Sequence, residues 1–146
     1  MESIISKVEI RWADLDPNFH VLHSRYYDFC AFCRMGFLVS NGLTPAVMQQ
    51  NHFGPILFRE ECSFRRELKF GDEVTINARV SKMTLNSARF SMKHEIWKGS
   101  DVIAATVHVD IAWMDTLTRK LTVPPQIALD ILERAPRTDD FQLITR

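Results

Sequence analysis

His23-Ser24-Arg25-Tyr26-Tyr27-Asp28-Phe29-Cys30-Ala31-Phe32-Cys33-Arg34-Met35-Gly36-Phe37-Leu38-Val39-Ser40 is the stretch that decides the fold of this chain. It is long enough for about five helical turns and contains no proline. It stops at Asn41-Gly42, a pair suited to the left-handed residue that closes a helix. Its apolar side chains lie nearly all the way round. A helix resting on a surface shows one polar stripe, so this one is expected to be buried on most sides. Pro45 to Gln50 adds one more helical turn.

Downstream the period changes to two. Ile56 to Leu68 reads as extended, introduced by Gly54-Pro55. Val74, Ile76, Ala78 and Val80 alternate with Thr75, Asn77, Arg79 and Ser81. Ala88, Phe90, Met92, His94 and Ile96 alternate with Arg89, Ser91, Lys93 and Glu95. Such alternation marks strands with one buried face. Gly99-Ser100-Asp101 reads as a hairpin turn. Val102 to Met114 is a long strand, apolar on both faces over much of its length, which suits a central position. Upstream of the helix, Val8 to Trp12 reads as a first strand. Pro124 opens a final helix ending near Arg134, and the polar tail over 136–146 is expected to be loosely held. With no repeat, low-complexity stretch or linker, residues 1–146 read as a single domain.

A strand, one long helix and four consecutive strands joined by short turns give an α+β fold. Its simplest packing is an antiparallel sheet wrapped around one long buried helix. Such a sheet leaves an edge and part of a face open. A homodimer or a dimer of dimers is therefore expected.

Composition narrows the function. The formal net charge is zero, which argues against partners that need a strong basic field, so neither nucleic acid nor a membrane surface is expected. No apolar run approaches a membrane span. Met1 to Lys7 carries no signal-peptide core, which points to a cytoplasmic protein. Three cysteines do not suggest a disulfide framework. Cys30-x-x-Cys33 lies inside the aromatic helix, without a second such pair. Both residues, and Cys62 in its strand, read as packing.

Just ahead of the helix, Arg11-Trp12-Ala13-Asp14-Leu15-Asp16-Pro17-Asn18-Phe19-His20-Val21 sets a carboxylate, Asp16, in a tight turn. A helix N-terminus offers unpaired N–H groups and positive potential. A carboxylate across a ligand-sized gap from it has the parts for acyl hydrolysis: a base or nucleophile, and donors for the developing oxyanion. Locally, Asp16 before proline also reads as a turn residue bonding its own backbone. Asp14, Asp16, His20 and His23 do not read as a metal set, because nothing else in the chain completes one.

This element order and turn motif resemble the hotdog-fold acyl-CoA thioesterases, most of all the 4-hydroxybenzoyl-CoA thioesterase-like branch. The resemblance is carried by Arg11 to Asp16, His20-Val21, Tyr26 and Arg34. It continues through Phe64-Arg65-Arg66-Glu67-Leu68-Lys69-Phe70-Gly71-Asp72-Glu73-Val74 and Asn86-Ser87-Ala88-Arg89-Phe90, and spans residues 5 to 130. Three departures stand out. Phe19 replaces the glycine often found before the histidine. Leu22-His23 stands where asparagine often follows. Cys30 to Phe32 offers no glutamate at a helix position where some members carry one, which leaves Asp16 as the carboxylate.

The resemblance implies a thioesterase that cleaves an acyl-CoA, or a related acyl thioester, to a free carboxylate and a thiol. Asp16 would activate water or attack the carbonyl, and His20 would orient it or polarise the substrate. The helix-start amides near His23 would hold the oxyanion. Tyr26, Phe58 and Phe64 would line the acyl pocket, and Lys82, Asn86 and Ser87 would meet the nucleotide. Arg65, Arg66, Arg89, Arg119 and Lys120 are further cations for its phosphates. No metal or cofactor is implied, coenzyme A entering only as part of the substrate. Arg34, on a buried helix, needs a partner, an acidic side chain or a helix-end carbonyl. A non-catalytic acyl-thioester sensing module on the same fold is the alternative of another class. A hotdog enoyl-CoA hydratase or dehydratase ranks below it for want of a histidine-led motif.

Overall fold

A computed structural model describes residues 3–145 of the chain. Strand β1 (Ile4–Val8) and a 3-10 turn (Trp12–Asp14) precede helix α1 (His23–Ser40) and the short α2 (Pro45–Gln50). Then come β2 (Phe53–Phe64), β3 (Val74–Thr84), β4 (Arg89–Lys98), β5 (Val102–Asp115), the two-residue β6 (Lys120–Leu121), α3 (Gln126–Arg134) and β7 (Arg137–Ile144).

The strands form one sheet in the order β1-β3-β4-β5-β2, with β6 added to β5 and β7 to β3. All pairings are antiparallel except β3 with β7. β1 covers Val74 to Ala78 of β3, and β7 covers Val80 to Thr84 of the same strand. The two chain-end strands thus lie along β3 one after the other. Residues Ile76, Ala78 and Val80 of β3, Met92 and Ile96 of β4, and Val107, Val109, Ile111 and Trp113 of β5 are buried in one core with Tyr26, Cys30 and Cys33 of α1. This is the sheet-around-helix architecture expected from the alternating strands.

Three expectations are corrected. The first strand lies at Ile4–Val8, and Trp12 instead opens a 3-10 turn, where the Asp14 carboxylate draws the Arg11 N–H and guanidinium inward. The tail is a strand: Val80 N–H donates to Pro136 O and Leu85 N–H to Ile144 O, so the free half of the β3 edge is paired. Helix α1 is buried along one line only. Phe32 is 72% exposed, and Met35 and Val39 are also open, because one curved sheet covers one side of a cylinder. β2 is the opposite edge strand, and a bulge between Leu57 and Arg59 leaves Phe58 exposed.

Candidate active site

The segment between the 3-10 turn and α1 folds back as a five-residue loop. Asp16 N–H donates to His20 O (2.8 Å), and Phe19 N–H to Asp16 O (2.9 Å). The Asp16 side chain closes the loop from within: Oδ1 accepts from the N–H groups of Asn18 (2.9 Å) and His20 (3.2 Å). The turn reading and the functional reading of Asp16 are therefore compatible. Oδ1 holds the loop, while Oδ2 makes no hydrogen bond among the described residues. Val21 N–H then donates to Leu68 O, and Leu22 N–H to Asp14 O, which ties the helix start to the segment after β2.

Phe19 has φ +64°. That left-handed conformation is why glycine suits this position, and a side chain there costs roughly 1–2 kcal/mol. Part of this is offset by the Phe19 ring against Trp12, with centroids 6.3 Å apart.

Asp14, two residues upstream, is the buried carboxylate. It is fully enclosed, with Oδ1 3.0 Å from Arg11 Nη2 and 3.1 Å from Arg25 Nε. Hydrogen bonding from Arg11, aided by the charges of Arg11 and Arg25, holds its carboxyl below the usual carboxylate value despite burial. With its oxygens so engaged, Asp14 anchors the start of α1 to the preceding turn.

α1 begins without a capping side chain, since its N-cap residue is Leu22. Arg25 N–H donates back to Leu22 O. The His23 and Ser24 N–H groups have no acceptor among the described residues. An uncapped N-terminus of this kind is a ready anion site.

Asp16, His20, Val21, His23 and Tyr26 share a cleft of about 330 Å³ with Phe64, Arg65, Arg66 and Glu67. Five of the nine residues expected in the site thus meet here: Asp16, His20, His23, Tyr26 and Phe64. Tyr26 is buried and edge-on to Phe64 at 4.9 Å, and burial raises its hydroxyl pKa. The His20 ring turns to Glu67, with Nε2 3.3 Å from Oε2, so its link to Asp16 is through the backbone.

The remaining four stand elsewhere. Phe58 and Lys82 line a separate groove of about 630 Å³ with Arg89, whose guanidinium lies 5.6 Å over the Phe58 ring. Asn86 and Ser87 line neither cavity. Asn86 Oδ1 accepts from Thr84 Oγ1 and Ala88 N–H, and the buried Ser87 hydroxyl faces Met83 Sδ. Their polar atoms close the β3–β4 turn. The cations beside Asp16 are Arg65 and Arg66, which an alternating-charge reading leaves among many solvated basic residues. What could have singled them out is position, immediately after the strand that packs on Tyr26. Among the described residues Arg34 finds neither an acid nor a helix-end carbonyl; it meets His94 Nε2 at 2.9 Å.

The curved antiparallel sheet around α1 is the hotdog fold. It matches a Staphylococcus aureus protein solved in complex with CoA, with TM-score 0.83, 16% identity, and 94% of this chain and 88% of that one covered. It also matches a 1,4-dihydroxy-2-naphthoyl-CoA thioesterase from Synechocystis, with TM-score 0.81, 17% identity, and 91% and 97% covered. A DHNA-CoA thioesterase from Staphylococcus aureus matches with TM-score 0.75 and 19% identity over 84% and 81%. No curated protein matches the sequence. Residues 10–133 match the thioesterase-like superfamily, and the chain belongs to it.

Proposed function

We propose that this protein hydrolyses an acyl-CoA or related acyl thioester, with Asp16 as base or nucleophile. The observation that carries the reading is the pairing, in one cleft, of a carboxylate with a free Oδ2 and a helix start whose His23 and Ser24 N–H groups are open. Membership of the thioesterase-like superfamily supports it, as does the likeness in fold to a protein that holds CoA.

In the base route, Asp16 takes a proton from water as the water oxygen bonds to the thioester carbon. The carbonyl electron pair moves onto oxygen, where the two helix-start N–H groups stabilise it. The oxyanion collapses, the C–S bond breaks, and the thiolate takes the proton held by Asp16. The products are a carboxylic acid, which ionises, and free thiol. In the nucleophilic route, Asp16 Oδ2 bonds to the carbonyl carbon and expels the thiolate; water then opens the mixed anhydride, its hydroxyl going to the acyl carbon and its proton to the thiolate, which frees the Asp16 carboxylate. Arg65 and Arg66 supply positive charge at the cleft for the CoA phosphates.

The open face of α1 (Phe32, Met35, Val39) and the exposed β2 edge (Leu57, Phe58, Phe64) support a homodimer, or a dimer of dimers, that closes the cleft. The test is free-thiol release from short, medium, long and aromatic acyl-CoAs, wild type beside Asp16→Asn. Asparagine keeps the Oδ1 acceptor, so the loop survives. A fall of at least ~10²-fold in kcat/KM is expected. Saturable acyl-CoA binding without cleavage in either protein would favour a sensing module instead.

A further inference from the structure

Apart from the Asp16 cleft and the Phe58 groove, α1 and the sheet leave a further cavity, about 190 Å³, between α1, the start of β2, β4, β5 and α3. Its walls are apolar, among them Ala31, Met35, Leu38, Leu57, Met92 and Leu132. One wall residue is charged: Arg34.

Arg34 is held from behind. Its Nη1 lies 2.9 Å from His94 Nε2, and His94 Nδ1 lies 3.0 Å from the Asn77 carbonyl oxygen. The carbonyl can only accept, so Nδ1 carries the proton and Nε2 receives the Arg34 N–H. His94 is fully buried; burial and the charge of Arg34 push its pKa down to about 3, which keeps the ring neutral. A neutral acceptor orients the guanidinium without balancing its charge. Among the described residues no carboxylate forms an ion pair with Arg34. The charge of Glu60 reaches it, but no bond forms. A guanidinium has five N–H donors. Those not used by His94 have no acceptor among the described residues, and none of them is sealed from solvent; Arg34 itself lines the cavity.

Water reaches these donors, and an apolar ligand that displaces it from the walls must carry an acceptor of its own to keep the guanidinium satisfied. Ala31, one turn earlier on the same face, has no acceptor and leaves the space open. Arg34 is eleven residues beyond His23, about 16 Å along the helix axis at 1.5 Å per residue. β2 runs beside this path, with Phe64 on Tyr26 at the cleft and Leu57 at the cavity.

We propose that this cavity receives the far end of the substrate's acyl group, and that Arg34 hydrogen-bonds an oxygen carried there. The acyl group is then an apolar chain of medium length ending in a hydroxyl or a carboxylate. This rests on the thioesterase reading. Arg34 acts in specificity, and His94 and the Asn77 carbonyl position it. A plain methyl end leaves the guanidinium donors unmet, and sites built to bond a substrate oxygen discriminate strongly against analogues that lack it.

The experiment compares kcat/KM for medium-chain acyl-CoAs with plain, ω-hydroxy and ω-carboxy ends, using wild type, Arg34→Met and Ala31→Leu. Wild type is expected to favour an oxygenated end by at least ~10-fold, and the better of the two identifies the oxygen. In Arg34→Met the ratio should fall to near one. Ala31→Leu, which fills the cavity without touching the charge, should abolish the preference too, and it serves if Arg34→Met does not fold. Equal or better turnover of plain chains by wild type, or a preference surviving both substitutions, overturns the proposal. Calorimetry with the free ω-hydroxy and dicarboxylic acids separates it from the thioesterase reading. Arg34-dependent binding of these acids without hydrolysis of any thioester would sink that reading and keep the cavity assignment. Hydrolysis with no end-group preference would do the reverse.

Discussion

Asp14 has its carboxylate oxygens on Arg11 and Arg25, whereas Asp16, two residues on, lines the cleft and has no hydrogen bond to Oδ2 among the described residues. Substituting each in turn should separate stability from chemistry. Asp14→Asn is expected to lose about 1–3 kcal/mol by breaking charge-assisted bonds at a buried site, read as a lower melting temperature. Asp16→Asn should melt near wild type and lose turnover. Phe19 gives a second test at this scale. Phe19→Ala removes the ring contact with Trp12 and keeps the cost of the positive φ, while Phe19→Gly removes both the contact and that cost. The glycine variant should therefore be the more stable of the two by about 1 kcal/mol in denaturant unfolding. Asp16, His20, His23, Tyr26 and Phe64 were legible as neighbours because four of them stand within one loop and the first helical turn. Phe58 was singled out with Phe64 as a pocket phenylalanine and Lys82, Asn86 and Ser87 by resemblance; strand register, which local sequence does not display, sets these four outside the Asp16 cleft.

The start of α1 carries leucine where a capping residue would satisfy Ser24 N–H. Leu22→Ser should stabilise the helix by roughly 0.5–2 kcal/mol. Its hydroxyl would then compete for the donor assigned to the oxyanion, so kcat is expected to fall as the melting temperature rises. Between Ile76↔Ile96 and Arg79↔Lys93, side chains join β3 and β4: His94 Nδ1 to Asn77 O, and Asn77 Oδ1 accepting from Glu95 N–H. Burial, then the charge of Arg34, holds the folded His94 pKa at about 3, below its ordinary 6.5. The unfolded chain thus binds a proton that the native one refuses, and stability falls as pH drops from 6.5 towards 3. The melting temperature of wild type should decline across that window, and that of His94→Gln less steeply. β3, β4 and β5 announce themselves by alternation or apolar length. β7 does not, because its polar run faces largely outward and its pairing is with a strand some sixty positions earlier.

Across the whole molecule, exposed apolar groups are scattered, but Phe32, Met35 and Val39 of α1 and Leu57, Phe58 and Phe64 of the edge strand β2 supply six of them. Phe32→Glu puts a charge on the α1 group without touching the core. Sedimentation should show a smaller assembly than wild type, and turnover should fall with it if a second copy closes the cleft. The apolar residues all round α1 suggested burial on most sides, but only Tyr26, Cys30 and Cys33 are buried, because apolar periodicity does not say how much of a helix its own sheet can reach. The seating of β1 and β7 on β3 also bears on how the protein is made. A strand in the middle of the chain waits for both ends: residues near the start are held unpaired until β3 exists, and half of the same edge stays bare until 137–144 have emerged. Contacts so distant in sequence form slowly. During synthesis the nascent sheet therefore presents an open flank to chaperones until the last strand leaves the ribosome.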